Sequence, residues 1–394
     1  MIEQERTIAG AMSGTSADGV DVALVRIRGN GEMMTAELLH HHHRDYPPEL
    51  RKAIFDFRGR EDAVGGLTPA GIMRRLAQVG REISLTYATA VNEALAGANM
   101  NANDLAAVAA HGQTLFHDPP STIQWLDPAL IAAEVGCAVV SDFRRADLAA
   151  GGEGAPLVPF ADYVLLRHPE KDRVLLNIGG IANITYLPAG GQFEDTIAFD
   201  TGPGNCIIDH LCRKYDPKGN GFDEGGSRAR GGHDRNGLVD FLLRHHPYFR
   251  KPPPKSTDGP EMIRAFETAP LPLQPYLGDV AAASEQNVAD LLATACALTA
   301  RSIQKAMNDF LPKLPDELIV SGGGVHNQTL MNFLRFEFPP EFRTSDELGV
   351  SSAAKEAIAF ALLGAATLDG LPSNMPSVTG ARRRVVLGSV TPKP

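Results

Sequence analysis

Apolar and polar positions alternate with period two through Val20-Asp21-Val22-Ala23-Leu24-Val25, which predicts a strand, and Thr7 to Met12 predicts a partner strand just before it. Gly14-Thr15-Ser16-Ala17-Asp18-Gly19 lies between them, so the chain opens on a hairpin with a polar, glycine-rich tip. The period then changes to that of a helix: Ile72, Leu76, Val79, Ile83, Tyr87, Val91 and Leu95 fall on one face, and Gly97 closes the run. Leu105 to Ala110 reads as a buried strand ending in His111-Gly112-Gln113-Thr114, Pro128 to Val135 as a helix, and Cys137 to Ser141 as a strand. This alternation indicates an α/β domain.

The second half repeats the opening pattern. Arg173 to Asn177 reads as a strand, Ile178-Gly179-Gly180-Ile181 as a glycine-rich tip, and Ile184 to Leu187 as the return strand. A third strand, Thr196 to Phe199, leads into Asp200-Thr201-Gly202-Pro203-Gly204-Asn205, with a helix over Cys206 to Tyr215. Gly219 to Gly232 and Lys251 to Pro260 read as loops from their Gly and Pro content. Val288 to Phe310 predicts a long helix and Glu317 to Val320 a buried strand ending in Ser321-Gly322-Gly323-Gly324. Ala353 to Ala366 predicts a helix that crosses between domains.

A chain of 394 residues exceeds what one core usually fills and implies two domains. With 43% hydrophobic and 21% charged residues it reads as globular. No apolar run approaches the ~18 residues of a membrane span, and MIEQERTIAG carries no signal pattern, so the expected location is cytosolic, away from membranes. The formal charge of −10 argues against a nucleic-acid partner. Cys137, Cys206, Cys212 and Cys296 form no CxxC pair and read as buried thiols. His40 to His43 would point to alternating faces of a strand and do not converge on one metal ion.

The tip at 14–19 has P-loop glycine spacing, but Val20-Asp21 stands where Lys-Ser/Thr belongs and a strand follows instead of a helix. Gly202-Pro203-Gly204 lacks the third glycine of a dinucleotide fingerprint. What remains is a loop of backbone N–H groups, hydroxyls and one carboxylate, suited to phosphates and a hydrated Mg²⁺ or, on the plainer reading, a tight turn. Three such loops, Ser13 to Gly19, Asp200 to Asn205 and Ser321 to Asn327, stand at strand ends, where ligands bind in α/β folds.

This layout resembles the sugar kinase, heat-shock ATPase and actin superfamily. Within it, an ordered set of motifs resembles the anhydro-N-acetylmuramic acid kinase family: MSGTSADGVD, HGQTLFHDP, SDFRRADLAAGGEGAPLVP, LLNIGGIANI, FDTGPGN, PPKST, SGGGVHN, KEAIAFA and NMPSVTGA. The resemblance implies a two-domain actin-like (ribonuclease H-like) α/β ATPase fold with the nucleotide in the interdomain cleft. Expected domains are 1–143 with 364–394, and 144–363. It implies ATP and Mg²⁺ as cofactors, an anhydro sugar as partner, a homodimer, and phosphorylation of O6 of anhydro-N-acetylmuramic acid as water opens the anhydro bridge, in cell-wall recycling. A kinase of another 1,6-anhydro sugar such as levoglucosan, or an actin- or chaperone-like ATPase without a sugar acceptor, is the alternative. Two stretches depart from the pattern: Trp125-Leu126 before Asp127-Pro128, and Asp258 between Thr257 and Gly259.

By the same resemblance, Ser13, Gly14, Thr15, Ser16, Ala17, Asp18, Gly19 and Val20 contact phosphates, joined by Gly179, Gly180, Gly202, Gly204 and Asn205. Gly322, Gly323, Gly324 and Asn327 carry the adenosine, and Asp18 reaches Mg²⁺ through water. The 6-oxygen of an anhydro sugar is an ether with no proton to lose, so water must be activated instead; Asp200 is the expected base, or else a helix cap. Glu356 would touch sugar or water, or form a salt bridge. Arg144 would pair with a lactyl carboxylate, or with Asp142 or Asp147. His111, Gln113 and Thr114 would hydrogen-bond the sugar, unless His111 only satisfies a loop.

Overall fold

The computed structural model describes residues 5–59, 68–269, 284–338 and 341–394. Its contacts divide the chain into two units, Met1–Leu166 with Ala353–Pro394, and Arg167–Ser352.

In the first unit, β1 (Glu5–Ser13), β2 (Gly19–Arg28) and β3 (Thr35–Asp45) form an antiparallel meander. β4 (Leu105–Asp118) then pairs parallel with β1, and β6 (Val139–Ser141) parallel with β4, giving the order β6-β4-β1-β2-β3. β5 (Ser121–Trp125) folds back on β4, and the short strand Ser389–Thr391 edges β6. One face of the sheet, through Ala9, Ala11, Val20, Val22 and Leu24, shares a core with Val79, Ile83, Tyr87 and Val91 of helix Pro69–Gly97. The opposite face receives helix Lys355–Leu368 at close range: a Cβ on Gly10 would overlap the Ala357 carbonyl, and one on Gly364 would press on Ala109. Burial on both faces explains why Ala23-Leu24-Val25 is a continuous apolar run.

The second unit repeats the plan. β7 (Arg173–Ile178), β8 (Ile181–Leu187) and β9 (Ile197–Pro203) form the meander; β10 (Glu317–Ser321) and β11 (Glu341–Thr344) add in parallel, in the order β9-β8-β7-β10-β11. Helix Glu285–Phe310, capped by Ser284, contributes Leu291, Leu292, Ala295 and Ile303 to a second core with β7, β8 and β10. Strand order 3-2-1-4-5, with three antiparallel strands followed by two parallel ones, is the ribonuclease H-like arrangement and occurs twice. The fold is the actin-like α/β fold that the family resemblance implies.

Several details differ from the sequence reading. The contact boundaries fall at 166/167 and 352/353, not at 143/144 and 363/364, because helix Lys355–Leu368 lies wholly on the first sheet. That helix does not cross between units, and Glu356 and Arg144 belong to the first unit. β4 continues through His111-Gly112-Gln113-Thr114, which therefore sit in a strand. Asp200 to Pro203 likewise extend β9, leaving Gly204-Asn205 as the loop. The loop from Lys251 yields at Gly259 to helix Gly259–Glu267, whose first turn is capped by Asp258 accepting from Glu261 N at 2.7 Å.

Candidate active site

In the first unit, the β1–β2 hairpin is held from below by Gln113. Its Oε1 accepts from Ser13 Oγ at 2.7 Å, and its Nε2 donates to the Gly14 carbonyl at 3.1 Å. Both ends of this buried amide serve the hairpin, so Gln113 positions the tip from below. Thr114 is buried and accepts from Gln124 Nε2 at 3.3 Å. Ala17 lies in the left-handed region at φ 45°, which costs a non-glycine residue about 1–2 kcal/mol. Asp18 Oδ1 accepts from Ser16 Oγ at 2.9 Å and from Gly19 N at 3.1 Å. The two glycines serve different ends: a Cβ on Gly14 would meet only Ser16 Oγ, at 3.6 Å, whereas one on Gly19 would overlap the Arg44 carbonyl. Gly14 is therefore open toward solvent, while Gly19 is required by packing against β3, and Val20 is buried in β2.

Two residues outside every sequence motif act on this tip. From helix Pro48–Gly59, Arg51 Nη2 donates to the Ser16 carbonyl at 3.4 Å and Arg58 Nη1 donates to the Thr15 carbonyl. Both guanidinium groups stand 5.6 Å from the ring centroid of Phe55 between them. Their spacing of one arginine, an aromatic and a second arginine on a single helix face was the available signal.

Beside β4, Arg144 Nε donates to His111 Nε2 at 3.0 Å. Desolvation and the Arg144 charge hold His111 neutral, its pKa well below the usual value, and burial lowers Arg144 to about 10. The expected carboxylate partners are engaged elsewhere: Asp142 pairs with Arg145 at 3.4 Å, and Asp147 accepts from Asn374, Thr379 and Gly154 N. Arg144 is thus a cation held by a neutral imidazole, and His111 stacks on Phe360 at 4.7 Å. Glu356 faces solvent among buried neighbours on the first turn of its helix, and among the described residues it makes no ion pair; Lys355 goes to Asp162 at 2.9 Å. Although the side chain is exposed, the protein packed around the helix's first turn crowds the carboxyl and raises its pKa; Lys355 opposes this, Asp21 adds to it, Arg144 opposes, and Asp18 adds.

In the second unit, three glycine loops converge on the end of β7. The carbonyl of Gly179 accepts from Asn205 N at 2.8 Å, and that of Gly180 from Gly204 N at 2.9 Å. A Cβ on Gly204 would overlap the Gly179 carbonyl, and one on Gly324 would overlap Ile178. Gly322 stands at φ +84° against Asn177 and Ile178, while Gly323 faces open space. Gly202, at φ +149°, backs onto Phe249 and Ser302. Asn327 is buried and caps helix Gln328–Glu337 through Leu330 N, which leaves it a structural task.

Asp200 sits within β9 and caps no helix; that position belongs to Asn205. Its backbone N donates to the Lys255 carbonyl at 3.2 Å, its carbonyl accepts from Tyr248 Oη at 2.6 Å, and its carboxylate accepts from Thr257 N at 3.1 Å. Desolvation raises its pKa to about 6, against the opposing pull of the Thr257 N–H and the Lys255 charge. A cavity of about 400 Å³, lined by Ser256, Thr257, Asp258, Glu261 and Arg264, opens beside Thr257. A fixed, mostly desolvated carboxyl that titrates near neutrality is the kind of group that takes a proton from water. Tyr248 lies in none of the quoted motifs, and Thr257, the last residue of PPKST, carried no assigned role, since both meet Asp200 only when 248–257 lies along β9.

The two departures from the family pattern resolve as packing. Trp125 donates from Nε1 to the Leu76 carbonyl at 2.9 Å and covers Gly80 on helix Pro69–Gly97, and Asp258 is the cap described above. The histidines of β3 alternate: His41 and His43 each reach Asp21 at 3.0 Å, and His42 reaches Glu93 at 2.9 Å. Among the described residues no cluster of three or more His, Cys, Asp or Glu is placed to hold a metal.

A family model described as anhydro-N-acetylmuramic acid kinase matches residues 6–393. The chain belongs to this family. It is 42% identical to the anhydro-N-acetylmuramic acid kinase of Gloeobacter violaceus, over 97% of this chain and 98% of that one. It is 39% identical to that of Bacillus cereus strain G9842, over 98% of each chain, and 36% identical to that of Caldanaerobacter subterraneus, over 99% of this chain and 98% of that one. The kinase family match runs through both glycine-loop units and the C-terminal segment, so the β1–β2 hairpin, β9 with Asp200 and helix Lys355–Leu368 all fall inside it.

Proposed function

We propose that this kinase uses ATP to phosphorylate O6 of anhydro-N-acetylmuramic acid while water opens the 1,6-anhydro bridge, giving N-acetylmuramic acid 6-phosphate. The observation that carries the reading is Asp200, a half-buried carboxyl in β9, held by Thr257 N at 3.1 Å and with its pKa raised to about 6, in a chain that matches the family from residue 6 to 393. Asp200 takes a proton from the attacking water; the water oxygen bonds to C1, the C1–O6 bond breaks, and O6 accepts the γ-phosphoryl group as ADP leaves.

The β1–β2 tip, with exposed Thr15 and Ser16 and an open face at Gly14, supports phosphate binding by backbone N–H groups, and Arg51 and Arg58 add positive charge there. Asp18, exposed at this tip, would hold a hydrated Mg²⁺ through water, and the ion would supply charge neutralisation. The open face of Gly323 supports adenosine binding at the Gly322 to Gly324 loop. Arg144 has no carboxylate partner among the described residues, which supports its pairing with the lactyl carboxylate of a muramic sugar. Glu356 is the second carboxyl assigned to sugar or water. Homodimeric, cytoplasmic operation belongs to the same reading; among the described residues no helix is long and apolar enough to cross a membrane.

ADP release measured against a panel of 1,6-anhydro sugars tests the substrate. Reaction in ¹⁸O-labelled water should put one label at C1 and none in the phosphate. Asp200→Asn should lower turnover by about 10²–10⁴-fold with ATP affinity retained. Because the base must be ionised, kcat/KM should rise with pH through about 6 in the wild type. Label missing from C1, or open hexoses phosphorylated as fast as anhydro sugars, would overturn the proposal.

A further inference from the structure

Lys255 is almost fully buried, and among the described residues its ammonium makes no ion pair. It is boxed by aromatic rings, with Nζ 4.5 Å from the centroid of Phe310, 4.9 Å from Tyr248 and 5.5 Å from Phe199. An apolar side chain would fill such a box at lower cost than a desolvated cation, so packing alone does not account for a lysine here. Two walls of the box are bound to Asp200: Phe199 precedes it in β9, and Tyr248 donates its hydroxyl to the Asp200 carbonyl. The Lys255 carbonyl accepts the Asp200 N–H, and two residues on, Thr257 N holds the Asp200 carboxylate.

We propose that Lys255 is a positioning residue for the reaction, an ammonium fixed by the Phe199, Tyr248 and Phe310 rings so that its charge keeps the Asp200 carboxylate ionised when water must be deprotonated. This rests on Asp200 being the base. Burial lowers Lys255 to about 8, which Asp309 and Asp200 oppose and Lys305 and Lys251 reinforce. Asp200 feels the Thr257 N–H and Lys255, and the Tyr248 phenol feels the Asp200 and Glu261 charges. Lys255 therefore carries its charge through the range in which Asp200 titrates, and it loses that charge only after Asp200 is ionised.

The test compares pH profiles of kcat/KM for the full-length wild type, Lys255→Met and Lys255→Arg, with Asp200→Asn as reference. Neutralising Lys255 should move the acid limb upward by about one pH unit, a several-fold loss at pH 6 that fades by pH 8. Lys255→Arg should leave the limb where the wild type has it. A ¹³C NMR titration of the Asp200 carboxyl in the unliganded protein, assigned by its absence in Asp200→Asn, should show the same displacement. Should Lys255→Met fail to fold, Lys255→Gln removes the charge while keeping length and polarity. An acid limb and a carboxyl titration both unmoved by neutralisation, with Asp200→Asn inactive, would overturn the role of Lys255 and leave the base in place. Full activity in Asp200→Asn would instead remove the base, and this proposal with it.

Discussion

At the scale of single residues, the same residue type performs different tasks that only local geometry separates. Gly14 and Gly19 bracket one tip, but a side chain at Gly14 projects into open space and one at Gly19 collides with β3. Gly14→Val should leave the thermal unfolding midpoint near that of the wild type and abolish MgATP binding in calorimetry. Gly19→Ala should lose stability by about 1–3 kcal/mol through overpacking. Nucleotide affinity unchanged in Gly14→Val would take the tip out of the phosphate site. Gln113 and Asn327 illustrate the converse. Both stand in motifs read as ligand-binding, and both spend their polar atoms on the protein, Gln113 on Ser13 and Gly14 and Asn327 on the cap of a helix.

At the scale of elements, strands β7, β10 and β11 are fastened at their starting ends by a buried carboxylate. Glu317 accepts from Lys171 Nζ at 2.8 Å and from Arg173 Nε at 2.7 Å. Burial alone would raise its pKa; the hydrogen bonds from Lys171 and Arg173 overcome this and hold it at about 2. The folded value lies below the ordinary 4.5, so the stabilisation is complete above pH 4.5 and is lost as pH falls toward 2. Glu317→Gln should cost about 3 kcal/mol at pH 7, since it removes the buried carboxylate that Lys171 and Arg173 share. The deficit should shrink as the pH of a urea titration is lowered from 5 to 3. A deficit constant over that range would show that the carboxylate charge is not what holds these strands.

At the scale of the whole molecule, one strand order is used twice and each sheet has its own core. Trp125, the single tryptophan of the chain, packs in the first unit, whereas Glu317 is in the second. In a denaturant titration of Glu317→Gln, far-UV circular dichroism should gain an early phase while the Trp125 fluorescence transition stays at its wild-type midpoint. Equal displacement of both signals would mean that the two cores unfold as one.

Alternation, helical period and glycine placement were enough to locate the two hairpins, the long helices and the repeat, because these depend on local periodicity and on which residues tolerate a tight turn. The motif set identified the family and pointed to Asp200. The ends of elements were less readable: β4 runs on through His111 and β9 through Asp200, since ladder pairing with β5 and β8 outweighs the glycines that suggested loops. Helix Lys355–Leu368 reads as a crossover in sequence because it follows the second unit, and only its close fit on Gly10 and Ala109 assigns it to the first sheet. The state of Asp200 was beyond the sequence altogether. A carboxyl's pKa depends on what surrounds it, and here Tyr248, Lys255 and Thr257 are brought beside it by a loop some fifty residues away along the chain.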